Sequence, residues 1–217
     1  MSGNFSKPGD EIAGHRVLRL IGTGFEGETY LVRHGSSNLL RTLKLFRGRD
    51  RAQEVRMTAR RFQRLSGISS VKQFRDVGGF GGQPSVGTRH WIAFDDVVGI
   101  SLDHLICKGA IRSPHRMALA LLEALHPVHE RRMAIGDFDR GRNVIRSTNG
   151  RYVFCDLDAG DPKNSPPGRR ADISEVANLY LAASRANGRL ATQSERHSIR
   201  GAKSLSELAA ALGRAWR

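Results

Sequence analysis

Several scarcities set limits before any motif is considered. Only two cysteines occur, Cys107 and Cys155, far apart and in no CxxC spacing. A disulfide framework and a zinc cage therefore have no support, and two buried thiols in a reducing compartment are expected. No apolar run is long enough to span a bilayer, and the polar stretch Met1 to Asp10 offers no core for a signal peptide. The expectation is a soluble, cytoplasmic protein, with delivery into another cell left open. Lysine is scarce: Lys7, Lys44, Lys72, Lys108, Lys163 and Lys203 are the whole set among 35 basic residues. Acidic residues number 21, and internal repeats are absent.

What remains is a chain of 217 residues, 39% hydrophobic, with a formal charge of +14 and a pI near 11.0. That suffices for one core or two closely packed lobes. The charge attracts phosphates of any kind, whether nucleotide, nucleic acid, anionic lipid or an acidic protein. It is mostly arginine, spread along the chain. Nucleic acid is possible but not favoured, because neither aromatic interleaving nor a recognisable binding motif accompanies the charge.

The texture changes along the sequence. From Glu11 to about Phe94 it is strand-rich with one helix, and after Gly99 it is mostly helical. Gly22, Gly24 and Gly27 form GxGxxG between the alternating stretch from Arg16 to Leu20 and the β-type run Glu28-Thr29-Tyr-Leu-Val32. A dinucleotide fold would place a helix after such glycines. Here they turn a hairpin, and backbone N–H groups unobstructed by Cβ atoms can approach a triphosphate. Lys44 sits within the apolar strand Leu39–Phe46, where an ammonium needs an anion to meet it. Arg51 to Leu65 reads as an amphipathic helix with Glu54 as its only acid and Thr58 one turn later on the same face.

The glycine-rich Gly78–Gly87 reads as a surface hairpin loop. Trp91 to Leu102 runs from a buried strand into a hinge-like link. Ser113-Pro114 caps and starts a helix whose apolar body, Met117 to Leu125, is expected to end near Pro127. His126 and His129 have metal-like spacing without a third ligand nearby, so packing or surface roles are expected. Asn149-Gly150 predicts a hairpin with a type I′ turn that brings Asn143 and Asp156 to the same side, with Asp137 a few residues earlier. An oxygen-donor pair for Mg²⁺ and a carboxylate to position an acceptor hydroxyl are the parts that phosphoryl transfer needs.

In this order the segments resemble the protein-kinase-like phosphotransferases, as a minimal atypical member, from Gly22 to the helix near Asp172. The resemblance implies an α+β, two-lobed fold. An antiparallel sheet with one helix (1–94) would join through a hinge (95–99) to a truncated, mainly helical lobe (100–217). It implies ATP and Mg²⁺ as cofactors. The nucleotide would be bound through Gly22, Gly24, Gly27, Thr29 and Lys44, with Glu54 as the helix carboxylate facing the lysine and Asp95 and Val97 offering backbone groups to adenine. Asn143 and Asp156 would hold the metal, the latter in an Asp156-Leu-Asp158 variant of the DFG motif, and Asp137 with Lys44 would serve catalysis. Asp172 corresponds to the buried aspartate that braces the catalytic loop, at what reads as the capping box of a helix to about Ala186.

The sequence also departs from that family. Ile-Gly-Asp stands for His-Arg-Asp, the interval to Asn143 is one residue longer, and Asp139 competes with Asp137 as base. Gly160 to Ala171 is a very short activation segment. Basic residues Arg140, Arg142, Lys163, Arg169 and Arg170 suit an acidic protein or another anionic substrate. The implied activity is transfer of the γ-phosphate to a hydroxyl, foremost a protein Ser or Thr. A small molecule, sugar or RNA acceptor is the alternative, and an inactive pseudokinase scaffold or a basic nucleic-acid-binding module is the rival class.

Overall fold

Alternation of apolar and polar residues in the first 95 positions produces, among the described residues, six strands: β1 (Glu11–Ile12), β2 (His15–Thr23), β3 (Gly27–His34), β4 (Leu40–Phe46), β5 (Phe74–Phe80) and β6 (Arg89–Asp95). All pairs are antiparallel, in the order β1-β2-β3-β4-β6-β5. The computed structural model describes residues 6–48, 51–80, 89–157 and 166–215. The chain divides into one unit of Met1–Gly67 with Lys72–Asp96 and another of Ile68–Val71 with Val97–Arg217.

In the first unit the two-residue strand period sorts side chains onto two faces. Tyr30, Val32, Leu43, Leu45, Trp91 and Ala93 form a core with Ile12 and Val17 on one face. Lys44 lies opposite Ile92, and Thr42 opposite Phe94, on the other face. There α1 (Ala52–Arg64) buries Val55, Thr58, Ala59 and Phe62, an i, i+3, i+4, i+7 stripe, and Phe62 meets Phe94 edge to face at 4.6 Å. Contrary to the loop expected from Gly78, residues Gly78 to Phe80 belong to β5, paired with Trp91, His90 and Arg89. The physical reason is Trp91: a Cβ at Gly78 would lie 2.8 Å from its indole, so glycine lets the ring cover the strand. The rest of that loop, residues 81–88, lies outside the described residues.

The second unit has a small sheet in the order β7 (Gly99–Ser101), β8 (Val144–Ser147), β9 (Tyr152–Phe154). Around it are α2 (Leu102–Cys107), α3 (Pro114–Glu130), α4 (Pro166–Ala186), α5 (Gln193–Arg200) and α6 (Leu205–Ala215). Its core includes Leu121, Leu125, Phe138, Phe154, Val176, Tyr180 and Leu212. The segment Ile68–Val71 joins it by a parallel bridge from Val71 to Phe154, and the Ser70 hydroxyl donates to the Ala124 carbonyl at 2.6 Å.

Four local expectations are corrected. α3 continues through Pro127 to Glu130. Proline forfeits one backbone bond there, but Val128 is fully buried and His129 is held by Asp172, so tertiary contacts keep the last turn. The hairpin after β8 is not a two-residue type I′ turn. Ser147 N–H donates to Arg151 O, Gly150 N–H donates to Ser147 O, and only Gly150 has positive φ (+83°), which is a three-residue loop ending in a left-handed glycine. α4 opens at Pro166 and not at Asp172. Proline suits a first helical position because no N–H is required of it. Cys107 is exposed and Cys155 half-buried: α2 buries Leu102, Leu105 and Ile106, which turns Cys107 outward.

His15 supplies a test of the first unit. Its ring is buried against Trp91, with centroids 5.6 Å apart. Nδ1–H donates to Ala13 O at 3.0 Å, leaving Nε2 a buried acceptor without a partner. Desolvation first, then the positive neighbours His34 and Arg41, lower its pKa from the ordinary 6.5. Below that value the unfolded chain binds the proton and the folded chain resists it, so stability falls as pH drops. Melting temperature is expected to decline as pH falls below 6.5, with a shallower decline in His15→Gln, measured by thermal scans across that range.

Candidate functional site

In the first unit the strand register assembles one row. Gly22 pairs with Thr29, and Thr29 pairs with Lys44. The hairpin between β2 and β3 closes through Gly24 N–H to Gly27 O at 2.8 Å, with Phe25 and Glu26 at its tip. The three glycines of this turn differ in what they do. At Gly27 a Cβ would fall 2.1 Å from Leu45 O, so the strand pairing itself requires glycine. At Gly22 a Cβ would meet nothing within 4 Å, and at Gly24 only Gly27 O at 4.0 Å. Neither has positive φ. The fold gives no reason for glycine at those two positions, whereas a bound group approaching the backbone would.

Lys44 is largely buried on this row. Its Nζ contacts Glu26 Oε2 at 2.6 Å and stands 5.3 Å from the centroid of the Phe46 ring. Glu54, named from the sequence as the helix carboxylate for this lysine, bonds Arg51 Nη1 at 3.1 Å. Thr58, one turn on, is packed in the core with its hydroxyl unpaired. Glu26 had no distinguishing mark in the sequence, since 18 positions separate it from Lys44 and only strand register joins them.

In the second unit, Ile135-Gly136-Asp137 is held from beneath by Asp172. This fully buried carboxylate accepts from Ile135 N–H (3.0 Å), Gly136 N–H (2.8 Å) and His129 Nε2 (2.9 Å). Gly136 has φ +78°, a conformation that disfavours the arginine usual there. Asp137 Oδ1 accepts from Asp139 N–H at 3.1 Å. The longer interval to Asn143 is absorbed by three successive left-handed residues, Asp139 (φ 38°), Arg140 (55°) and Gly141 (97°). They form a tight turn closed by Gly141 N–H to Phe138 O at 2.7 Å. Asn143 Nδ2 donates to Asp137 O at 3.4 Å, and because only the amide nitrogen can donate to a carbonyl, Oδ1 remains the acceptor. Asn143 O accepts from Cys155 N–H at 2.8 Å, which sets Asn143 beside the residue that precedes Asp156. Asp156 Oδ1 accepts from Leu157 N–H at 3.0 Å.

No sequence-family model matches the chain, and no curated protein sequence does. Solved structures do. A single-substitution variant of the Mycobacterium tuberculosis PknI kinase domain matches with a TM-score of 0.66 at 20% identity, covering 98% of this chain and 99% of that one. A structure of the PknI kinase domain without that substitution gives 0.63 at 20% identity over 97% and 99%, and another gives 0.60 at 21% over 97% and 97%. The chain has the protein-kinase-like fold. It is a divergent form of that fold, α+β, with an antiparallel sheet and one helix in the N-lobe and a small, mainly helical C-lobe.

Within this kinase-like frame, Asp95 closes the N-lobe sheet and Val97 opens the C-lobe segment. The Asp95 N–H is committed to Gln73 O at 3.0 Å and its carboxylate to Arg75 Nε at 2.6 Å. Asp139 is exposed, with Oδ2 3.8 Å from Arg142 Nη1. Arg142 also faces Asp103 at 3.5 Å, and Arg169 donates to His129 O at 3.4 Å. Asp158, Lys163 and Gly160 to Ser165 lie outside the described residues. His126 pairs at the surface with Glu130, and among the described residues no group of three or more His, Cys, Asp or Glu forms a metal site. Asn143 and Asp156 are hard oxygen donors, which suits a magnesium ion that keeps most of its waters. Among the described residues no helix is long and apolar enough to cross a membrane.

Removing the Asp172 carboxylate would leave two backbone donors and His129 buried without their acceptor. Asp172→Ala is expected to cost roughly 3–5 kcal/mol in urea unfolding. Amide exchange should quicken first at Ile135 and Gly136, and unchanged protection there would refute the bracing.

Proposed function

We propose that this protein is an ATP-dependent phosphotransferase that moves the γ-phosphate of Mg-ATP to a hydroxyl, foremost that of a protein Ser or Thr. The observation that carries the reading is in the N-lobe. No contact within 4 Å other than Gly27 O, at 4.0 Å from Gly24, requires Gly22 or Gly24 to be glycine, yet Gly22 stands in the row that holds Lys44 and Gly24 in the turn beside it. Backbone N–H groups of such a turn can reach phosphate oxygens, and a half-desolvated ammonium completes the anion site. The net charge of +14 draws anionic ligands toward it.

In this reading Lys44 binds phosphate oxygens, and Asn143 and Asp156 hold the metal. Mg²⁺ supplies neutralisation of the phosphate charge that grows as the terminal bond breaks. Asp137 accepts the proton of the acceptor hydroxyl as its oxygen bonds to the γ-phosphorus, and ADP leaves with the electrons of the broken bond. Asp137 is preferred to Asp139 because it follows the braced pair Ile135-Gly136, whereas Asp139 is exposed, turned by a left-handed backbone, and shares Arg142. The backbone groups at Asp95 and Val97 would take the adenine edge. An acidic protein suits the charge of the chain as acceptor. Sugars, small molecules and RNA are the other arms of the test.

Radiolabelled γ-phosphate transfer with Mg²⁺, alone and with cell extract, is expected to label an acceptor. Lys44→Ala, Asp137→Ala and Asp156→Ala should each lower the rate by about 10²-fold or more. Mg-ATP binding without transfer to any acceptor class would make the chain a pseudokinase, and failure to bind nucleotide would end the reading. Gly22→Ala and Gly24→Ala should leave the melting temperature nearly unchanged while weakening nucleotide affinity, read by calorimetry. Equal loss of both properties would mean that these glycines serve the fold.

A further inference from the structure

A lysine that binds phosphate needs its long, flexible side chain held in place, and a neighbouring carboxylate is the usual device. In this chain a carboxylate at Lys44 comes from the glycine turn. Glu26 Oε2 lies 2.6 Å from Lys44 Nζ, with the two side chains 40% and 16% exposed. Glu26 is itself fixed from two sides. Its carbonyl accepts from Arg47 N–H at 2.7 Å, and the turn around it is closed by Gly24 N–H to Gly27 O. Beneath the ammonium, the buried Phe46 ring limits where the side chain can swing. The α1 acid Glu54 is occupied by Arg51.

We propose that Glu26 is the positioning residue for Lys44, so that the glycine turn and not helix α1 orients the phosphate-binding ammonium. The proposal rests on the phosphotransferase reading above and deepens it. An ammonium has three N–H donors, so Lys44 can keep Glu26 on one and offer others to phosphate oxygens. The pairing also couples two events: the turn that would cover the phosphates is the one whose carboxylate holds the lysine. Movement of the turn therefore alters both the cover and the charge.

The test compares Glu26→Gln, Glu26→Asp, Glu54→Gln and Lys44→Ala in steady-state phosphoryl transfer with Mg-ATP. The Lys44 Nζ–H signal is also followed by ¹⁵N NMR in the protein without nucleotide. Glu26→Gln is expected to lower kcat/KM for ATP by on the order of 10²-fold, mostly in kcat, since misplacing a reacting or binding group costs about that much. Glu26→Asp should recover part of the loss, and the Lys44 signal, ordered by its ion pair in the parent, should average out in Glu26→Gln. Glu54→Gln should stay within about twofold of the parent, as expected for a surface ion pair. Parent-like rates in Glu26→Gln while Lys44→Ala is inactive would overturn the positioning role and leave the phosphotransferase reading standing. So would loss of activity in Glu54→Gln, or tighter ATP binding with faster turnover in Glu26→Gln. If the parent protein neither binds nor transfers, both fall, and a persistent Lys44 signal would mark an ion pair without function.

Discussion

The buried carboxylate of Asp172 is the constraint from which much of the C-lobe follows. A full negative charge without water is tolerated only if donors surround it, and here three do: two backbone amides of the segment leading to Asp137, and the His129 ring. Each donor fixes an element. His129 must reach inward from the end of α3, so that helix keeps its last turn beyond a proline. Ile135 and Gly136 must present their N–H groups on one side, which demands the positive φ that glycine supplies at 136. Asp172 must come from inside a helix and not from its cap, which explains why α4 begins six residues earlier than the capping pattern suggested.

The N-lobe depends on register in the same way. A one-residue slip in β4 would put Lys44 into the apolar face with Tyr30 and Val32 and send Leu43 and Leu45 to the face shared with α1. Gly27 guards against this, since its close approach to Leu45 O pins the two strands at that point. The glycines of one motif thus divide between two tasks. Gly27 secures the sheet, while Gly22 and Gly24 leave space that the protein itself does not fill.

Much of this was legible from the residues alone. Strand alternation gave β2, β3 and β4 with their turn, the apolar stripe gave α1, and Ser113-Pro114 marked the start of α3. What escaped was what depends on distant partners. His129 looked like a surface or packing histidine because its acceptor is 43 positions away, and Glu26 looked like any polar turn residue. Gly78 to Phe80 read as loop because glycine lacks strand propensity, and only the Trp91 ring across the ladder explains why the chain can be extended there. The type I′ expectation failed for a subtler reason. Asn149 spends its side-chain oxygen on the Ser147 hydroxyl and the Arg151 N–H, which favours the longer loop with a single left-handed residue.

The imbalance between arginine and lysine follows the same division of labour. A guanidinium offers five donors in a rigid plane and can tie two elements together. Arg189 does this in the C-lobe, reaching the Tyr180 hydroxyl at 2.8 Å on α4 and Glu195 at 2.9 Å on α5, where Glu195 also completes the capping box with Thr192. Arg196 donates to Ala191 O and Arg169 to His129 O. A small helical lobe with a limited core gains from such straps. Part of the arginine content is therefore architectural, although these residues keep their charge. Lysine, a compact charge with rotatable donors, is the better choice where an anion must be met and released, and Lys44 on its row beneath the glycine turn is such a place.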